Sequence, residues 1–441
     1  MTESTAGPGD LIDLDITDVA HGGVFVGRHE GRVVFVPDAI PGERVRVRLT
    51  DTGKKSFWRG ETLEVLDASP HRRPHVWAPA DVSVPPADRP GGADFGHIDL
   101  AHQRELKLHV LRDALERIGG LRDLEASIEE ASPILGGAGE VIAAESPDGT
   151  GWRTRLSLHV DDDGRVGPYA ARSHRVIAVD GMPLATHGIE SAMTGLGAGR
   201  PGRIDLVQPD DGRVRVLPRP RHLGRGSGPR SKAVRETVIE RAGGRAFRVD
   251  AGGFWQVHRL AAHNLVERTG RALRGAGVPA DPDAWHLDLY GGVGLLATAI
   301  GDWAGESVRL TSVESDVRAT EHAGENLAEW IGARAETERV DRWLARLEQT
   351  ASPRDRERVA RGAVVLDPPR SGAGRDVVES LARLSPAAIV YVACDPVALA
   401  RDLATFRDAG YETDAVRAVD LFPHSHHLEA IAVITRTGTR S

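Results

Sequence analysis

The sequence predicts an α/β protein in three parts: a small β-barrel, a central α+β unit, and a C-terminal doubly wound sheet of largely parallel strands. Three observations predict it. From Phe254 onward, apolar strand-like runs alternate with helical patterns, which is the signature of a parallel sheet with crossover helices. Three of those runs end in glycine, acid or cysteine followed by turn residues, as at the ligand-binding edge of an open α/β sheet. The first 67 residues instead carry five short runs of alternating apolar and charged residues, separated by Gly, Pro and Asp turns.

The barrel strands are expected at residues 10–16, 23–27, 32–37, 43–49 and 58–66, within a unit spanning 10–67. A connector rich in Pro, Asp and Gly follows at 70–100. A helix is expected over 103–118, where apolar residues 106, 110, 111, 114 and 118 share one face and Gly119-Gly120 stops the pattern. Further strands are expected at 154–160 and 175–180, inside a unit spanning 68–250. The third unit, 251–441, should hold a helix over 256–275 and strands at 286–290, 308–314, 363–367, 388–393, near 415–420 and 430–435.

At 441 residues and 40% hydrophobic content there is material for more than one core. No run of 18 apolar residues occurs, so a soluble, cytoplasmic protein without a membrane partner is expected. A single cysteine excludes an internal disulfide framework and any metal site built on several thiolates. His424, His426 and His427 are crowded without a second ligand group nearby, so no metal is expected there.

The net charge of −8 is not that of a dedicated nucleic-acid binder, but the basic residues are clustered. Between Arg213 and Arg248 stand eleven of them, including Arg219, Arg221, Arg225, Arg230, Lys232 and Arg235, against only Glu236 and Glu240. A smaller group from Arg44 to Arg59 is interleaved with Phe57 and Trp58, whose rings are candidates for stacking on bases. Together they make a polyanionic partner the expectation.

The lone cysteine, Cys394, directly follows the apolar run 387–392 and precedes Asp395-Pro396. A free cysteine is usually a small core hydrophobe. At a strand end before a bend, however, its thiol is held rigidly and exposed, as a nucleophile must be. Upstream, Val364-Val-Leu-Asp-Pro-Pro-Arg370 and His286-Leu-Asp-Leu-Tyr-Gly-Gly-Val-Gly294 end two further strands. The glycine turn lets a nucleoside approach the backbone, and Glu314, at the end of the next strand, is placed to hold ribose hydroxyls. The third glycine of a dinucleotide fingerprint is missing, which points to a nucleoside cofactor without a pyrophosphate.

Five ordered motifs carry a resemblance over nearly the whole chain: Phe254-Trp-Gln-Val257, Asp288-Leu-Tyr-Gly-Gly-Val-Gly294, Leu366-Asp-Pro-Pro-Arg-Ser-Gly-Ala373, Tyr391-Val-Ala-Cys-Asp-Pro396 and Leu421-Phe-Pro-His-Ser-His-His-Leu-Glu429. They resemble the RNA uracil-C5 methyltransferases that use S-adenosylmethionine. The barrel, through His21-Gly-Gly23, residues 32–37 and Ile40-Pro-Gly-Glu-Arg-Val45, is similar to the OB-like, RNA-binding TRAM domain. The resemblance implies a Rossmann-like class I methyltransferase domain, Cys394 as nucleophile and Glu429 as general base. It places Gln256, Tyr290, Gly292, Glu314, Asp341 and Asp367 around cofactor and target base, with Asp367 and Arg370 on the substrate. It also implies ribosomal or transfer RNA as partner, ribosomal RNA being favoured, and a monomeric enzyme. Two positions depart from the family: Asp395 and Leu295 stand where Asn is common.

The implied chemistry needs these residue types. Carbon 5 of uracil is a weak nucleophile, so a thiolate adds at carbon 6 first and turns the ring into an enolate that takes the methyl group. A carboxylate must then remove the proton from carbon 5. Relatives that carry an iron-sulfur cluster hold it on four cysteines after the barrel. Here Pro90 and Ala93 flank the paired glycines, so no cluster is expected. Cytosine-C5 methylation, which uses two cysteines in RNA enzymes, and a non-catalytic RNA-binding homologue are the rival readings.

Overall fold

The computed structural model describes residues 6–221 and 236–438. The strands Leu11–Ala20, Val24–His29, Arg32–Val36, Arg44–Asp51 and Phe57–Asp67 close into the expected barrel. Period-two alternation sends Leu14, Phe25, Val34, Val36, Val45, Val47 and Leu49 into its core. Gly60 is required where the strands cross closely, because a Cβ there would lie 2.3 Å from Val47 Cγ1. The outer face carries cross-strand ion pairs, with Arg46 on Asp13 and Arg48 on Glu61. Trp58 differs from expectation: it is 1% exposed, inside the barrel beneath the Arg32 guanidinium, and offers no face for a base. Phe57 packs edge-on against Phe35.

The irregular connector is fixed to the barrel by buried charges. Both carboxylate oxygens of Glu43, which is 1% exposed, accept from Arg72 at 2.6 and 2.7 Å and also from the Ile40 and Ser69 N–H groups. Arg89 bonds Asp38 at 2.7 Å, and His97 meets the Ala39 carbonyl.

The central unit is a four-stranded antiparallel sheet in the order Val166–Gly167, Arg155–Val160, Gly202–Val207, Arg215–Pro220, followed by the hairpin Thr237–Ala242 and Arg245–Asp250. The expected strand at 175–180 is absent. Its backbone makes only a narrow hairpin, Ala170 N–H to Arg175 and Ile177 N–H to Pro168, with one isolated bridge between Tyr169 and Val176.

The large sheet has eight strands in the order Ala333–Thr337, Arg309–Glu314, Trp285–Leu289, Ala363–Leu366, Ala388–Ala393, Glu429–Arg436, Tyr411–Asp420, Glu125–Glu130. The first five are mutually parallel, and Glu429–Arg436 runs antiparallel to both neighbours. Alternate residues feed two cores: Val364, Leu366, Ile389 and Tyr391 face one, and Val365, Val390 and Val392 the other. The helix Leu100–Arg117 and the strand Glu125–Glu130 belong to this assembly although they lie far upstream. Leu111 and Leu115 share a core with Leu399, Leu403 and Phe406, and the strand pairs in parallel with residues 415–420.

The helix expected over 256–275 spans Ala261–Gly275. Residues 257–259 spend their backbone groups on the central unit instead, with Thr154 N–H on the Val257 carbonyl and Arg259 N–H on that of Trp152. Gln256 is thereby held in an irregular segment. Among the described residues, no helix is long and apolar enough to cross a membrane.

Candidate active site

Trp285–Leu289 and Ala363–Leu366 are neighbours, and the chain leaves the first toward Arg309–Glu314 and the second toward Ala388–Ala393, in opposite directions. At such a switch point an open α/β sheet leaves a crevice for ligand. A cavity of about 1900 Å³ occupies it, and Gln256, Tyr290, Gly292, Glu314, Asp341, Asp367, Arg370, Cys394 and Glu429 all line it. A second cavity of about 610 Å³ adjoins it, sharing Gly92, Arg153, Arg219 and Phe254.

One end is built around the glycine turn. Tyr290 turns at φ +62°, and a Cβ on Gly291 would meet Ser312 Oγ at 2.0 Å. Gly292, at φ +54°, donates its N–H to Glu314 Oε2 at 3.2 Å, tying the turn to the next strand end. Beneath it, Asp288 is fully buried. Its Oδ2 accepts from Ser312 at 2.7 Å, while Oδ1 has no partner, and burial pushes the carboxyl up to about 7. Asp341 enters the first turn of Val340–Thr350 paired with Arg339. Burial and then the Asp341 charge push the Tyr290 hydroxyl up to about 12. An orphaned buried oxygen, a bare backbone cradle and two acids suit a hydroxyl-rich nucleoside.

The other end is built from three loops. The Asp367–Arg370 loop is anchored by Asp402, whose Oδ2 accepts from Ala373 N–H at 2.7 Å and from the Tyr391 hydroxyl at 2.8 Å. Lys107 holds the loop before Glu429 by donating to Asp420 and to the Phe422 carbonyl, while Gln103 Oε1 accepts from His424 N–H. Cys394 follows the strand Ala388–Ala393, and Glu429 opens the neighbouring strand. Burial, then the charges of Glu429 and Asp367, push the thiol up to about 12, opposed by Arg370. Burial and Asp367 likewise raise Glu429 well above the ordinary carboxylate range, and Asp367 stands at about 7 through burial and the Asp288 charge. Arg370 is the cation facing this group, and it donates to His427 Nε2 at 3.2 Å.

Sequence reasoning passed over several groups that the fold brings here: Asp288 and Ser312 under the glycine turn, Arg153 on the cavity wall, and His427 beside Arg370. Ser312 and Arg153 carried no signal, while Asp288 was legible as the start of the glycine-turn motif. His427 was legible as part of the motif ending in Glu429.

The basic run fares differently. Arg215 is held by Asp211 and Glu236, Arg219 by Asp205, Arg221 by Asp162, Arg241 by Asp210, Arg245 by Asp302 and Glu329, and Arg248 by Glu325. Apart from Glu236, the acids that pair with these charges stand outside the run. Arg225, Arg230, Lys232 and Arg235 lie outside the described residues.

The class defined by this fold and site is a barrel-bearing, Rossmann-like enzyme with a nucleoside crevice and a cysteine at its edge. Family comparison agrees. The TRAM domain model matches residues 7–65, and the tRNA (uracil-5-)-methyltransferase model matches residues 337–437. A Streptomyces avermitilis chain described as an uncharacterized RNA methyltransferase is 38% identical over 97% of this chain and 98% of its own. A Corynebacterium glutamicum chain of the same description is 34% identical, covering 97% of each. The crystal structure of Pyrococcus abyssi tRNA (uracil-54, C5)-methyltransferase with S-adenosyl-L-homocysteine superposes with a TM-score of 0.63 at 20% identity, covering 96% of this chain and 100% of that one. The chain belongs to the RNA uracil-C5 methyltransferase family with an N-terminal TRAM domain.

Proposed function

We propose that this protein forms 5-methyluridine in structured RNA through a covalent adduct between Cys394 and carbon 6 of the target uracil. One observation carries the reading: a thiol and a raised carboxyl, Cys394 and Glu429, meet at the edge of the same cavity whose far end is the glycine turn. That end, with Tyr290, Gly292, Glu314 and Asp341, suits S-adenosylmethionine, and Gln256 and Asp367 lie where cofactor and base would meet. When bound, the cofactor supplies an electrophilic methyl group.

The remaining steps belong to this chain's side chains. Cys394 gives its proton to solvent water, its thiolate Sγ adds to carbon 6, and the ring electrons move to oxygen 4 as an enolate. Asp367, protonated over part of the neutral range, hydrogen-bonds the uracil edge, and Arg370 offsets the developing negative charge. Carbon 5 takes the methyl group. Glu429, whose raised pKa makes it a strong base once it has ionised, then accepts the carbon 5 proton on a carboxylate oxygen, the carbon 5–carbon 6 double bond re-forms, and Cys394 leaves as thiolate. At rest burial keeps the thiol protonated, and the Arg370 charge is what favours its thiolate.

In this reading the barrel (10–67) and central unit (68–250) contact RNA, and residues 251–441 carry the chemistry, in a cytoplasmic monomer. Ribosomal RNA is the favoured substrate class. Transfer RNA is the alternative, supported by the names of the matching family and of the Pyrococcus enzyme. Mapping 5-methyluridine in both RNA classes from a strain lacking the gene separates them. The adduct is tested with radiolabelled methyl donor on a denaturing gel. Glu429→Gln should accumulate a slow-migrating labelled protein–RNA band and Cys394→Ala none. Retained turnover by Cys394→Ala overturns the nucleophile, and normal turnover by Glu429→Gln overturns the base.

A further inference from the structure

The barrel touches the reactive turn itself. His21, in the turn between the first two barrel strands, places Nε2 2.9 Å from Asp395 Oδ2. Asp395 Oδ1 accepts the Ala398 N–H at 2.8 Å and so caps the helix Pro396–Asp408. One carboxylate therefore joins the segment carrying Cys394 to a histidine 374 residues away in sequence. The apposition is close: at Gly23, φ +70°, a Cβ would lie 2.9 Å from His426 Cβ. His21, Gly23, Arg370, Cys394, Asp395 and His427 together line a small cavity of about 70 Å³ behind the thiol.

A helix cap does not need a charge, since Asn caps as well as Asp. The second oxygen is what the carboxylate adds, and it faces an imidazole donor. The bond to Asp395 raises the His21 pKa against its partial burial. Burial opposes ionisation of Asp395, yet the His21 bond and the Ala398 N–H keep its carboxyl below the ordinary range. Each group thus favours the charged form of the other.

We infer that His21 is a positioning residue for Cys394: the barrel holds the Cys394–Asp395 turn and balances the Asp395 charge beside the thiol, apart from any contact it makes with RNA. The inference rests on Cys394 being the nucleophile. The charges that act most on the thiol are those of Glu429, Asp367, Arg370 and Asp395, and on His21 those of Asp395 and Arg370, while Lys107, His426 and His427 line the cavity between them.

The test compares His21→Ala, His21→Gln, Asp395→Asn and the His21→Ala/Asp395→Asn double variant in steady-state methylation. The pH profile of Cys394 alkylation by iodoacetamide is followed in each without RNA. His21→Ala should lower kcat roughly tenfold, with KM for RNA and methyl donor within about twofold, and move the alkylation profile to higher pH. His21→Gln, which keeps an N–H donor of similar reach, should recover most of kcat but not the alkylation shift. On the Asp395→Asn background, His21→Ala should cost nothing further. The inference is overturned if His21→Ala changes only KM for RNA, if it leaves both kcat and the alkylation profile as in the parent, or if its effect adds in full to that of Asp395→Asn. Should His21→Ala fold poorly, the comparison of His21→Gln with the parent decides, since charge and hydrogen bond then separate. Turnover surviving Cys394→Ala would instead defeat the nucleophile, and the alkylation profile of this single cysteine would still report on His21.

Discussion

Cys394 and Glu429 face each other across neighbouring antiparallel strands: the register that pairs Ala393 with Ala430 brings them together one residue further on. Facing residues on such strands have Cβ atoms about 5 Å apart, close enough for each charge to govern the other's ionisation. Burial is the largest cause of the raised thiol pKa, and the Glu429 charge is the largest electrostatic one.

Replacing Glu429 by Gln should therefore lower the Cys394 pKa, because a neutral amide no longer repels the thiolate. At a pH below both values, each unit of that fall raises the thiolate fraction about tenfold. Iodoacetamide alkylation at pH 9 should be faster in Glu429→Gln than in the parent. Equal or slower rates would show that the two groups are uncoupled.

Asp288 predicts a pH dependence of stability. Its folded value, about 7, lies above the ordinary 3.8, so the fold prefers the protonated acid. Its contribution is fully present below the unfolded value and is lost as pH rises toward 7. Asp288→Asn removes this loss and keeps a partner for Ser312. Its stability relative to the parent should rise between pH 4 and 7, by on the order of 4 kcal/mol, and level off above. Thermal melts at several pH values check this, and a constant difference would refute it.

The Glu43–Arg72 pair predicts a folding defect. Removing the guanidinium leaves a buried carboxylate with only two backbone donors. Arg72→Met should cost about 3 kcal/mol and expose the connector at 70–100 to limited proteolysis, with less effect from the Glu43→Gln/Arg72→Met double variant. A proteolysis pattern like the parent's would sink this account of the connector.

Charge reversal at Arg219 and Arg221 should act on the central sheet before it acts on RNA. Arg219→Glu sets a second carboxylate beside Asp205, so a fall in melting temperature is expected. If Arg219 also contacts a phosphate, the slope of log affinity against log salt should drop by about 0.7–0.9. An unchanged melting temperature with the full change in slope would mean that its pairing with Asp205 gives way to RNA.

Much of the fold was legible because its signals are local. Alternation alone marked the five barrel strands, and the switch between two-residue and 3.6-residue periods marked most of the large sheet. The misreadings came where other bonds took the backbone groups: at 257–259 those of the distant residues 152–154, and at 175–180 those of a local hairpin with 168–170. Trp58 illustrates the same limit, since one aromatic in an alternating run can point either way until the barrel closes.

The sequence by itself determined the barrel, most strands of the large sheet, the glycine turn, and the cysteine and acids that chemistry would require, because motifs record residue type and spacing. Only the tertiary structure decided which charges are free. Among the described residues of the basic run, Arg221, Arg245 and Arg248 met acids from other segments, Asp288 lost its water, and His21 found Asp395 across 374 residues. Ionisation depends on burial and on neighbours in space. Neither is written along the chain.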